Sequence, residues 1–120
     1  MAKKVLVVDD EEHVRQLYKE ELSEEGYDVY LASGGEEAIK LVDEISPDVV
    51  TVDVRMPGMD GIELLRVLKE KNRELPMIMC TAYPEYKHNF GVWASEAYVV
   101  KSGDLKELKD TIKKLLGGGA

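Results

Sequence analysis

Asp53 closes the apolar run Val49-Val50-Thr51-Val52, and the loop Met56-Pro57-Gly58-Met59 follows at once. Asp9 and Asp10 end the run Lys4-Val5-Leu6-Val7-Val8, Thr81 ends Met77-Ile78-Met79-Cys80, and Lys101 ends Ala97-Tyr98-Val99-Val100. Each has a plain structural explanation taken alone: Asp9 and Asp10 as acids favoured at a helix N-terminus, Thr81 as a strand-end hydroxyl, Lys101 as a surface charge. Brought to one place, three carboxylates, a hydroxyl and an ammonium do chemistry. Crowded carboxylates repel one another unless a cation sits among them. Oxygen-only ligands in an open, wet site suit Mg²⁺, which keeps waters that a phosphate can replace. A carboxylate beside Mg²⁺ can attack phosphorus and form an aspartyl phosphate. Lys101 and Thr81 would then hold the phosphoryl oxygens by charge-assisted and hydroxyl hydrogen bonds.

The elements that must position these residues follow from pattern. Residues 4 to 8 read as a strand, and Val14, Leu17, Tyr18 and Leu22 recur at helical spacing after it, with Gly26 as a left-handed cap. A second strand over about Asp28 to Leu31 leads to Ser33 and Glu36, spaced as a capping box for a helix bearing Ala38, Leu41, Val42 and Ile45, which Pro47 stops. The nearly continuous β-branched run before Asp53 predicts a strand buried on both faces. Asp60 and Glu63 open a helix to about Asn72, with Ile62, Leu65 and Leu68 inward. A fourth strand ends at Thr81 and a fifth, 97 to 100, at Lys101. Between them, residues 83 to 95 carry one short helix on the weakest pattern in the chain. Asp104 and Glu107 cap a last helix with Leu105, Leu108, Ile112 and Leu115 inward. Five strands alternating with five helical patterns predict a parallel α/β sheet covered on both faces, which puts every strand-end residue named above on one edge. Ligands bind at that edge in open α/β sheets.

The 120 residues make one domain, 1–116, followed by a flexible glycine-rich tail, 117–120. A formal charge of −8 disfavours direct binding of nucleic acid. The single cysteine, Cys80, excludes an intrachain disulfide and reads as a buried packing thiol. With no membrane-length apolar run and no signal-peptide pattern, a cytoplasmic location is expected. His13 and His88 lack the company of a zinc site.

Across essentially its whole length the chain resembles the receiver domain of two-component response regulators, the CheY-like family. The resemblance implies a flavodoxin-like, doubly wound fold with strand order 2-1-3-4-5. It implies Asp53 as phosphoacceptor, Asp10 as a direct Mg²⁺ ligand, Asp9 acting mainly through water, and the backbone carbonyl of Arg55 completing the protein's share of the coordination. Thr81 and Lys101 would bind the phosphoryl group, and Thr81 with Tyr98 would form the switch pair. The phosphoryl group would come from a sensor histidine kinase or a phosphotransfer protein. Output would go to a downstream protein or a covalently linked effector domain, without turnover on an outside substrate.

The chain also departs from that family's pattern. Ser102 stands where a proline usually follows the lysine through a cis bond. Cis costs about 3–4 kcal/mol before a residue other than proline, so a trans Lys101-Ser102 bond is expected, or a strained cis bond held by its surroundings. Five of the eight aromatics, Tyr83, Tyr86, Phe90, Trp93 and Tyr98, gather between residues 83 and 98, either as a partner-binding face or as packing onto the sheet. Three other readings are weaker. An aspartate-nucleophile phosphohydrolase resembles an Asp-x-Asp pair after the first strand, which Asp53 after the third does not match. Flavin binding on the same topology and a receiver-like module working without phosphorylation complete the set.

Overall fold

The computed structural model describes residues 2–53, 58–81, 97–100 and 105–117, and at residues 81, 97, 98 and 100 the backbone alone. Five parallel strands, β1 (Lys4–Val8), β2 (Asp28–Ala32), β3 (Val49–Asp53), β4 (Met77–Thr81) and β5 (Ala97–Val100), lie in the order β2-β1-β3-β4-β5. The described helices are α1 (Glu12–Glu24), α2 (Gly35–Ile45), α3 (Gly61–Lys71) and α4 (Lys106–Leu115). The short helix expected within 83 to 95 and the cap expected at Asp104 lie outside the described residues, as do His88, four of the five clustered aromatics and the Lys101-Ser102 bond.

The strand period of two divides the core into two layers. Leu6, Val8, Val50, Val52, Met77 and Met79 face α2 and α3, where Ala38, Val42, Leu64, Leu65 and Leu68 close over them. Val5, Val7, Val49, Ile78, Cys80 and Val99 face the opposite way, onto Tyr18 and Leu22 of α1 and Leu105, Leu108 and Ile112 of α4. Every residue of β3 is buried, as its β-branched run predicts for a central strand. On the second face Lys109 Nζ donates to Glu21 Oε1 at 2.8 Å and ties α4 to α1.

Three local expectations are corrected. Leu17 is 41% exposed rather than inward. Val14, Tyr18 and Leu22 step by four along one line of the helix, and Leu17 sits about 100° off it. Helix α2 opens at Gly34 rather than Ser33, with no side-chain cap, and the acid that reaches back is Glu37, whose Oε1 accepts the Ser33 N–H at 2.6 Å. In α3 the buried face includes Leu64 beside Leu65 and Leu68, while Ile62 is only partly covered, the apolar stripe being wide enough to take two adjacent residues. The expected caps at Asp60 and Gly26 are present: Asp60 Oδ1 accepts the Glu63 N–H at 2.8 Å, and Gly26 has φ +94.

Ile78 illustrates what holds this architecture. It is fully buried in the middle of β4, in the core layer that α1 and α4 cover. Ile78→Ala is expected to lower unfolding stability by about 3 kcal/mol, through lost burial plus the cavity left behind. Leu17→Ala, at the exposed site, should change it by less than about 1 kcal/mol. Urea midpoints for the two variants check this, and equal losses would contradict the layer assignment.

Candidate functional site: an acidic cation site at the carboxyl edge

The sheet delivers Asp9 and Asp53 to one spot by register. Strands β1 and β3 are neighbours, with Val7 opposite Thr51 and Val8 opposite Val52, so Asp9 and Asp53 emerge side by side past the same level. They share parity with Val5, Val7, Val49 and Thr51 and therefore stand on the α1 side of the sheet. Asp53 lies opposite Cys80 of β4, one residue before Thr81. Carboxylate oxygens of Asp9, Asp10 and Asp53 all lie within 4.8 Å of one another. Asp9 is 2% and Asp53 6% exposed, whereas Asp10 faces solvent.

The turn between β1 and α1 is fixed by its own backbone. The Asp9 N–H donates to the Ala32 carbonyl at 3.1 Å, extending the β1–β2 ladder by one residue. Asp9 Oδ1 accepts the Glu11 N–H at 2.9 Å, and Arg15 Nη1 donates to the Asp9 carbonyl at 2.7 Å. These bonds tie one Asp9 oxygen to the turn that follows it, and Asp10 stands at the exposed rim. On the other side of Asp53, the loop re-enters the described structure at Gly58, whose φ of +80 suits glycine. Met59 then packs against the first turn of α2 so closely that a Cβ on Gly35 would meet the Met59 Sδ at 2.6 Å. Met59 is thus pinned to α2.

Three carboxylates at this spacing, two of them nearly buried, form an oxygen-donor site for a hard divalent cation. Of the residues expected from the sequence, the structure brings together Asp9, Asp10 and Asp53. It places the Thr81 backbone at the end of β4, paired with Val100, and the Tyr98 backbone opposite Met79. The side chains of Thr81 and Tyr98, and all of Arg55 and Lys101, lie outside the described residues. Cys80 is buried, as expected. One neighbour was not foreseen as part of the site: Tyr18 of α1, 5% exposed, whose phenol is held well above its ordinary pKa first by burial, then by the nearby Cys80, Asp9 and Asp53. Its signal in the sequence was a tyrosine on the inward line of the helix that leaves this edge.

A doubly wound parallel sheet that gathers acids at the carboxyl ends of β1 and β3 places a cation site where open α/β sheets bind their ligands. The chain belongs to the response regulator receiver domain family, whose pattern matches residues 5–113, and is a phosphoacceptor domain of two-component signalling. Among solved structures it is similar to response regulator TrrA from Thermotoga maritima, determined in complex with Mg²⁺ and BeF, at 45% identity and TM-score 0.92, covering 95% of this chain and 99% of that one. A chain in the complex of histidine kinase ThkA with TrrA matches at 45% identity and TM-score 0.90, over 95% of this chain and 98% of that one. Chemotaxis protein CheY4 of Vibrio cholerae matches at 30% identity and TM-score 0.88, over 97% and 100%. Among the described residues, no helix is long and apolar enough to cross a membrane.

Proposed function

We propose that this chain accepts a phosphoryl group on Asp53 from the phosphohistidine of a sensor histidine kinase or phosphotransfer protein. The observation that carries the reading is the approach of the Asp9, Asp10 and Asp53 oxygens to within 4.8 Å at the end of a fully buried strand. Complexes of TrrA with Mg²⁺–BeF and with a histidine kinase support it. In the transfer, an Asp53 carboxylate oxygen forms a bond to phosphorus as the N–P bond of phosphohistidine breaks, and the imidazole departs with its electron pair and takes up a proton. Asp10, Asp53 and the Arg55 carbonyl would hold Mg²⁺, with Asp9 acting through water, and the bound ion would supply charge neutralisation for the incoming phosphoryl oxygens.

Lys101 and the Thr81 hydroxyl bind those oxygens in the product. The phosphoryl group brings about −1.5 to −2 charges to the sheet edge. Thr81 moves toward it and Tyr98 follows inward, which changes the face offered to a downstream protein or linked effector domain. The unit 1–116 acts as the receiver, with 117–120 as a tail, in the cytoplasm. The protein catalyses only its own phosphorylation and its own slow dephosphorylation.

Transfer from an autophosphorylated histidine kinase tests this reading. Label is expected to move to this chain with Mg²⁺ present and to stay on the kinase in EDTA. Equal transfer in EDTA would contradict the role given to the acidic site.

A further inference from the structure

Asp10 is exposed, and among the described residues no hydrogen bond or ion pair holds its carboxylate. That carboxylate nonetheless lies within 4.8 Å of the oxygens of Asp9 and Asp53, two groups that repel it. A solvated acid turned toward two others is sent there by its backbone. The peptide that joins Asp9 to Asp10 is planar, so the direction of its carbonyl sets where the Asp10 Cα and the side chain on it go. Arg15 Nη1 donates to that carbonyl at 2.7 Å, a charge-assisted bond. The residue before the peptide is fixed as well, by the Asp9 N–H on the Ala32 carbonyl at 3.1 Å and by Asp9 Oδ1 on the Glu11 N–H at 2.9 Å.

Arginine is not what the helix itself asks for at this position. Arg15 is the fourth residue of α1, and its N–H bonds the Glu11 carbonyl at 3.1 Å. The positive end of the helix dipole disfavours a cation there and favours acids, which the chain supplies at Glu12. Asp9, Asp10, Glu11 and Glu12 all lie within six residues, yet the guanidinium makes no ion pair among the described residues. Its part-buried side chain leans back toward the N-terminus, as helical side chains do, and ends on the carbonyl six residues earlier. Helix propensity and dipole leave this choice unexplained, and the peptide between the two acids explains it.

We infer that Arg15 is a positioning residue of the acidic site, its guanidinium holding the Asp9–Asp10 peptide in the plane that aims the Asp10 carboxylate at the cation position. The inference rests on the cation-binding reading given under Proposed function. The same side chain has a second effect, of opposite sign. A fixed positive charge near a cation site repels the incoming ion, so removing it would by charge alone tighten binding. Removing the hydrogen bond frees the peptide to turn and lets Asp10 swing into water, which weakens binding. The sign of the change separates the two.

Groups that orient metal ligands from behind typically change metal affinity by about 10- to 100-fold when removed, and the lost positive charge offsets part of that, so Arg15→Met is expected to weaken Mg²⁺ binding about tenfold. Methionine keeps the unbranched stem and the helix propensity. The experiment is a Mg²⁺ titration of the full chain followed by amide chemical shifts, on the wild type, Arg15→Met and Glu21→Gln, each also melted in EDTA. Glu21, near the other end of α1, accepts from Lys109 Nζ at 2.8 Å and ties the helix to α4, so its variant reports general loosening of α1. The expected pattern is that both variants melt somewhat below wild type in EDTA and that only Arg15→Met binds Mg²⁺ more weakly. Before any Mg²⁺ is added, the Asp10 amide signal of Arg15→Met should already be displaced, because that N–H belongs to the peptide whose carbonyl has lost its donor.

Unchanged or tighter Mg²⁺ binding in Arg15→Met would overturn the inference and leave the acidic site intact, tighter binding showing that the residue acts as a charge alone. So would an Asp10 amide that stays in place, or a Glu21→Gln protein that loses affinity in step with stability. A wild-type chain that binds no Mg²⁺ would instead overturn the underlying reading, and this one with it.

Discussion

Asp10→Asn should weaken Mg²⁺ binding about a hundredfold while making the metal-free protein more stable. A unit charge about 3 Å from a divalent ion is worth about 3 kcal/mol even at the dielectric of water, and that attraction is what the substitution removes. Without the ion the sign reverses. Carboxylate oxygens 4.8 Å apart repel by about 1 kcal/mol per pair at the same dielectric, and Asp10 takes part in two such pairs, with Asp9 and with Asp53. Solvent and salt screen the exposed Asp10, so a gain of about 1 kcal/mol, or roughly 4 °C in melting temperature, is the reasonable expectation.

The two effects cross. In EDTA the Asp10→Asn protein should melt above wild type. In excess Mg²⁺ the wild type gains stability through linkage and the variant hardly moves. Melting curves of both proteins in both buffers measure this. A variant that gains as much from Mg²⁺ as wild type would remove Asp10 from the site.

The parallel sheet was legible because its strands are short apolar runs that each end in a chemically distinctive residue. Asp9, Asp53 and Thr81 each fall at or just past a strand's end as the pattern requires, and the order β2-β1-β3-β4-β5 follows from the family resemblance. The cap at Asp60 was legible because a side-chain acceptor three residues before a free N–H is a local matter. Elsewhere two residue sets fit the local pattern equally well. Ser33 with Glu36 and Gly34 with Glu37 are both acceptable starts for α2, and close packing of Gly35 against Met59, a contact across 24 residues, accompanies the later one. Leu17 and Tyr18 are both apolar and adjacent, and only the line set by Val14 and Leu22 tells which turns inward.

Tyr18 escaped notice at the site for a related reason. Its nearness to Asp53 depends on the direction in which α1 crosses the sheet and on the tilt of side chains along a helix, neither of which is written in the spacing of the residues. The weak pattern after Thr81 left the connection between β4 and β5 the part of the chain least legible in the sequence.

Asp53 is the residue on which the account turns. Its carboxylate is nearly buried, stands between Asp9 and the end of β4, and is the member of the acidic cluster that a strand rather than a loop holds in place. Asparagine has the same shape and nearly the same packing, so Asp53→Asn should fold normally. Its amide is a poor nucleophile toward phosphorus, so phosphoryl acceptance should vanish rather than decline. The measurement is intact mass after incubation with Mg²⁺ and a small phosphodonor such as acetyl phosphate or phosphoramidate, wild type beside Asp53→Asn. A gain of one phosphoryl group in the wild type, dependent on Mg²⁺ and absent in the variant, is the predicted result. A folded Asp53→Asn protein that gains the same mass, or a wild type that gains none from several donors, would contradict it.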